Sequence, residues 1–496
     1  MMRGFAASLI LLMTLASCTT QDILDPVTPE NNVPVDVHQI VTIPYSIQVT
    51  ADATKVSVDK NDKYTFQDND VLVLQGKDRK DVQAVLTYSK EKGSFDGELS
   101  YDKALGMADV VLQGTIKGKG FTDGLDYSKA IAADMKEAVE QFSVFSTEFK
   151  YSSTNTNVYL FQSTAFIEFD ILFEANKAMT EEKTVVELKD PKLFASGKAD
   201  VKDGKAHFVA AFAGGHSLTS PCVKICGKEV TFTKKATILE NNTRYTVERT
   251  IKPVVGDPYY SDGIWGKFGH KKDAEAIGII VSIENAAVPA GKYALVMALH
   301  DAGSAKWGKW DKGNEKQVCD NADLVKNPDD AFEDFDGLGK TNKMASENFP
   351  AARMAVAYGK EVAAPANSTG WFLPAIGQWI AAVELLGETD PRSEWINEKG
   401  NKKWTLNNVV CVKKSGKGVL QLMNEYLQCY KGTLLYTGSN PKWNSYWTSS
   451  EHNAEKAIRM NFSVSQDDPL SYPSCIKIGT DHKTEKTYTV RPFLAF

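Results

Sequence analysis

The sequence predicts a mostly β protein whose last part is α+β. Apolar and polar residues alternate with period 2 in several short runs before residue 255, the pattern of half-buried strands. All nine tryptophans lie at or beyond Trp265, so the chain changes character near residue 256. Beyond that point two stretches carry apolar residues at helical spacing. At 496 residues the chain is too long for one core.

Taken in order, Met1-Met2-Arg3 is a short basic start, residues 5–15 are almost wholly apolar, and Leu15-Ala16-Ser17-Cys18 closes the segment. The apolar run is too short to span a bilayer as a helix, so 1–17 reads as an export signal. A plain export signal ends in an Ala-x-Ala-like site, which Ser17-Cys18 is not. Leu-Ala-Ser-Cys resembles the bacterial lipobox, which implies acylation of Cys18, a palmitate included. Residues 18–37 are polar and rich in Pro, Asp and Asn, as in a tether.

A first β domain is expected over 38–150. Val41, Ile43, Tyr45, Ile47 and Val49 alternate with mostly polar residues, and further strands are predicted at 71–74, 83–88 and 107–114. Ile131, Met135 and Val139 form an i, i+4 stripe that predicts a helix over 127–142. A second β domain is expected over 151–255, with strands at 167–173, 207–213, 230–233 and 244–251 at spacings typical of sandwiches. Lys252-Pro253-Val254-Val255-Gly256-Asp257-Pro258 marks a boundary, and 256–496 forms the third part. There, strands are predicted at 277–283, 293–300, 457–464 and 487–493. One helix carries Ile376, Trp379, Ile380, Val383 and Leu386; another carries Leu420, Met423, Leu427 and Tyr430.

The formal net charge of -6 argues against a nucleic-acid partner. No second apolar run is long enough to cross a membrane, so membrane contact is expected only through the lipid on Cys18. The remaining six cysteines are an even number in an exported chain, and Cys222 with Cys226 is the first candidate disulfide. Trp371, Trp379 and Trp447 read as core anchors. Trp307 and Trp310 sit among Gly, Lys and Asp and are the better candidates for exposed contact; with Trp447 they form the candidate ligand contacts. The acidic run at 329–337 invites calcium, but Phe332 and Lys343 would fall on loop positions that require oxygen ligands, so an EF-hand is excluded. No nucleophile elbow, P-loop or His-Glu-x-x-His occurs. No catalytic residue, metal or cofactor is therefore expected.

The first half resembles the fimbrillins, the pilins of type V pili. The likeness is carried by the lipobox, two strand-rich blocks flanking the Ala130-to-Glu140 stretch, and Leu239-Glu240-Asn241-Asn242-Thr243-Arg244-Tyr245-Thr246-Val247. It implies two β-sandwich-like domains that polymerise by exchanging a strand with other pilin subunits. Such pilins are commonly freed by cleavage after arginine, yet no Lys or Arg lies between Arg3 and Lys55.

The last half resembles the C-type-lectin-like domains that end some of these pilins. The residues are Gly370-Trp371-Phe372-Leu373-Pro374 with Trp379, Tyr446-Trp447-Thr448-Ser449-Ser450-Glu451, and Val490-Arg491-Pro492-Phe493. The calcium-dependent sugar-binding signatures are missing; Trp443-Asn444 is followed by Ser445. The Leu-Pro and Arg-Pro motifs also resemble formylglycine-generating enzymes, in which an Arg stands where this chain has Phe372. Together these resemblances imply a lipidated outer-membrane precursor that becomes an adhesive subunit at a fimbrium tip. Its partners would be pilins and surface glycans or proteins. The alternative is a monomeric, glycan-binding surface lipoprotein.

Overall fold

The computed structural model describes residues 39–51, 66, 68–121, 125–154, 157–191, 193–232, 237–241, 243–267, 270–271, 273–311, 313–344, 346–390, 392, 395–397, 406–407, 409–412, 418–436, 443–463 and 474–496. Cys18, the export signal and the tether lie outside the described residues.

The first strands are β1 (Ile40–Ala51), β2 (Val71–Gly76), β3 (Gln83–Ser89), β4 (Ser94–Asp102) and β5 (Val111–Lys117). After β6 (Ile131–Ala132) and α1 (Met135–Phe142) come β7 (Val144–Lys150) and β8 (Asn157–Gln162). Sandwich-like packing is expected here, but the sheet closes on itself. In the order β1-β4-β3-β2-β5-β7-β8 it forms a barrel, sealed by parallel pairing of β1 with β8. Alternation sets the register: Leu72, Leu74, Ala84 and Leu86 point inward, whereas Val73 and Val85 face each other outside.

The predicted helix is shorter than its stripe. Asp134 caps α1 by accepting from Glu137 N, and the Glu137 carboxylate accepts from Ala133 N just before the cap, which starts the helix there. Ile131 is left in strand β6, paired with β12.

The next strands are β9 (Thr164–Phe173), β10 (Glu181–Asp190), β11 (Leu193–Lys202), β12 (Lys205–Ala213), β13 (Ser217–Leu218), β14 (Cys222–Ile225), β15 (Lys228–Thr231), β16 (Thr237–Ile238) and β17 (Arg244–Ile251). The second sheet runs β15-β14-β10-β11-β12-β9-β17, with β6 attached to β12, and β17 is its parallel last strand. β13 and β16 form a separate pair.

In the remainder, β18 (Pro258–Tyr260), β19 (Ala276–Ile283), β20 (Ala294–Ala298) and β21 (Gly303–Lys306) precede the helices α2 (Pro328–Glu333), α3 (Gly337–Lys343), α4 (Pro350–Ala357) and α5 (Ile376–Leu386). Then follow β22 (Trp395–Asn397), β23 (Val409–Val412), α6 (Val419–Cys429), β24 (Asn444–Glu451), β25 (Lys456–Ser463), β26 (Ser474–His482), β27 (Thr487–Val490) and β28 (Phe493–Ala495). One sheet is β18-β19-β20-β28 and the other β21-β27-β24-β25-β26-β23-β22. The strand predicted over 487–493 splits at Arg491-Pro492, because proline has no N–H to continue a ladder. Its halves serve different sheets.

The core does not stop at residue 256. One apolar cluster runs from Phe169 and Phe208 of the second sheet to Tyr259, Trp265 and Phe496. Trp265 Nε1 donates to Glu174 O at 2.6 Å, and its backbone exchanges hydrogen bonds with the Asn176 side chain. Lys228 reaches Asp257 at 2.8 Å. The second sheet and the α+β part therefore share one packed seam.

Candidate functional site

The barrel-sealing strand and the last described strand are held in different ways. β1 is the barrel's keystone. It pairs antiparallel with β4 from Ile40↔Asp102 to Gln48↔Ser94, and parallel with β8 from Gln48↔Asn157. Tyr45 and Ile47 point into the barrel, with the Tyr45 ring 5.7 Å from Tyr151. Burial pushes the Tyr45 hydroxyl up to about 12. Losing β1 would expose two unpaired edges and an apolar groove, the geometry that accepts an added strand.

The segment 490–496 is integrated in the opposite sense. β28 pairs with β20 at Leu295↔Ala495, Val296↔Leu494 and Met297↔Phe493, and Phe493 exchanges backbone hydrogen bonds with Phe372. The Phe496 ring stacks 4.3 Å from Tyr259. Arg491, fully buried, donates from Nε to Asp301 at 2.6 Å and from Nη2 to Thr433 O. Pulling this strand out would open two cores and strand a guanidinium, a high cost.

Trp307 departs from the exposed-contact reading, whereas Trp371, Trp379 and Trp447 are buried as core anchors. Trp307 is 1% exposed, its Nε1 donating to Thr448 O at 2.8 Å and its ring packed against Phe349 and the Lys483 ammonium. Trp447 is fully buried and donates to Ala305 O. Neither offers a ring face to a ligand in this arrangement. Trp310 is half-buried, edge-on to Phe349 at 5.0 Å and lying over Gly308.

The proposed Cys222–Cys226 bridge is also corrected: both thiols are free. Cys222 starts extended strand β14, opposite Thr231, and Cys226 follows its end, so the Cα atoms lie about 13 Å apart at strand rise, beyond disulfide reach. Cys475 is disulfide-bonded, and the ladder sets it opposite Cys411. Cys429 is a free, exposed thiol.

The acidic run caps helices instead of forming an open loop. Asp330 joins Asn327 in a capping box at α2, Asp336 caps α3, and Asp334 pairs with Lys340 at 2.6 Å in the interior. No group of metal-binding side chains occurs among the described residues.

A buried cluster escapes sequence reasoning altogether. Lys483 Nζ meets Glu451 Oε1 at 2.5 Å with both side chains fully buried, and the amides of Val318 and Cys319 donate to the same carboxylate. The Lys483 ammonium lies 4.8 Å from the Trp307 ring. Desolvation lowers the pKa of Lys483, against the pull of Glu451, and pushes the Cys319 thiol up to about 12. A Glu and a Lys 32 residues apart give no local signal.

With this geometry in view, the chain was compared with known proteins. No family model and no curated protein matches it. Solved structures do. The chain is similar to bacterial fimbrial proteins. A fimbrial protein from Bacteroides ovatus aligns over 92% of this chain and 100% of its own at 16% identity and a TM-score of 0.30. A fimbrial assembly protein from Parabacteroides distasonis aligns over 42% of this chain and 92% of its own, at 16% identity and a TM-score of 0.23.

Proposed function

We propose that this protein is a structural and adhesive subunit at the tip of a bacterial pilus. It receives a strand from the next pilin and presents residues 256–496 as a terminal, C-type-lectin-like domain. The carrying observation is the burial of β28: a subunit whose last described strand is ladder-paired and locked by Arg491–Asp301 has no loose strand there to donate. In support stand the Leu-Ala-Ser-Cys signal, which would deliver the precursor to the outer membrane, and the keystone position of β1.

One observation favours the second reading, a monomeric, glycan-binding surface lipoprotein. β1 seals the barrel, and no basic residue between Arg3 and Lys55 offers a trypsin-like protease a site ahead of it. Mass spectrometry of the mature N-terminus separates the two. A subunit assembled through the groove that β1 vacates has lost Cys18; an acylated Cys18 on all surface material would overturn that route and favour the monomer.

A further inference from the structure

The second sheet carries an open edge with a cavity beside it. Phe166 N donates to Thr243 O and Glu174 N to Ile251 O, so the odd-numbered residues of β17 turn their backbone groups toward β9. Arg244, Thr246, Glu248 and Thr250 therefore turn theirs outward, where β17 has no ladder partner among the described residues, although β15 approaches it without pairing. The inward side chains of Tyr245, Val247 and Arg249 are only half-buried. Beneath them lies a cavity of about 230 Å³ with a floor of Ile167, Phe169, Leu188, Leu218, Phe232 and Leu239. Thr246 and Glu248 also line it, so it opens along the edge. On the opposite face of the same strand a hollow of about 640 Å³ is bordered by Asp170, Lys205, His207 and Glu248.

We infer that β17 is an acceptor edge for an extended segment of another subunit, which pairs along it and seats one bulky apolar side chain in the cavity. The two hollows specify the occupant. A strand added outside β17 would present alternate side chains to an apolar hollow below and a charged one above, which only a period-2 amphipathic segment satisfies. The cavity exceeds the roughly 150 Å³ that holds a benzene, so one Leu or Phe fills it. Arg249 sets the charge. Its guanidinium lies 4.9 Å from the Phe232 ring, donates to the outward Glu248 carbonyl at 2.8 Å, and has no carboxylate partner among the described residues. It shields the edge when nothing is bound and complements an acidic side chain beside the apolar knob. This acceptor needs no removal of β1, so it supplies the assembly reading with a route that the missing basic residues do not block. The inference rests on that reading for the partner's identity.

The test is selection of phage-displayed random peptides of β17's own length (8 residues) on the intact protein. The expected winners alternate apolar and polar residues around one Leu or Phe with a neighbouring Asp or Glu. Thr246→Pro removes an outward N–H at an edge position that tolerates proline, and Val247→Phe fills the cavity; each should weaken a selected peptide by about tenfold or more. Arg249→Glu should reverse the preference for acidic peptides. No enrichment, or enriched peptides that bind both variants as well as the parent, overturns the inference. Tip labelling and N-terminal mass spectrometry do not depend on this edge, so failure here leaves the tip assignment standing and failure there leaves the edge standing.

Discussion

The barrel and the C-terminal α+β region bury their polar groups by different rules. Among the described barrel residues, ion pairs stay near solvent: Lys77–Glu148 is about half exposed and Arg79–Asp81 about a quarter. The barrel core is Leu, Ile, Val, Phe and Tyr, held by ladders around a closed ring. The C-terminal region instead encloses Lys483–Glu451, Lys340–Asp334 and Arg491–Asp301, the first of them beside the Trp307 ring. A closed ladder satisfies backbone groups by itself. Long loops do not, and here their amides lean on buried side chains, as Val318 and Cys319 lean on Glu451.

Variants can break this contrast, the largest effect first. Lys483→Met leaves the Glu451 carboxylate buried without its cation and should cost about 3–5 kcal/mol in denaturant unfolding. A loss below about 1 kcal/mol would mean that the two amides alone carry that charge.

Alkaline titration sharpens the contrast next. Cys319, Tyr358 and Tyr488 of the C-terminal region are held near 12 mainly by burial, and Tyr259 and Tyr446 are raised further. Their folded pKa values lie above the unfolded ones, so this contribution is complete below about pH 9 and is lost as pH rises toward 12. The slope should be on the order of 1.4 kcal/mol per pH unit for each group in that window. The barrel's described counterpart is Tyr45. Tryptophan fluorescence, which reports only the last half, should therefore fade at lower pH than circular dichroism of the strands. Coincident transitions would contradict this.

Thiol labelling comes third. Half-buried Cys222 should react in the folded protein and Cys226 only after unfolding, each adding one label by mass. A folded protein in which neither reacts even after denaturation would restore the bridge. Lys77→Ala sits at the small end: its pair is solvent-exposed, and the unfolding midpoint should not move measurably.

The same contrast explains what could be read from the sequence. The pattern at 244–251 predicts β17 with the bounds it has, and the helical stripe predicts α5, because both elements bury one side at a regular period. β4 escapes notice because Gly97 takes an apolar position between Phe95 and Leu99 and breaks the run. Gly97 is there because a Cβ would meet Val85 O at 2.2 Å, an inter-strand constraint with no local signature. Trp307 looks exposed by its polar neighbours, and only the distant Lys483, Thr448 and Phe349 show why it is buried. The open edge of β17 is equally silent in the sequence, since an edge strand and a central one can carry the same alternation.

The central claim is that this subunit receives a strand and does not pass one on from its described C-terminal strand. Immunogold labelling of an epitope placed in the exposed 90–93 turn on intact surface filaments tests it most directly. Gold is expected at filament ends only. Gold spaced regularly along the shafts would contradict it.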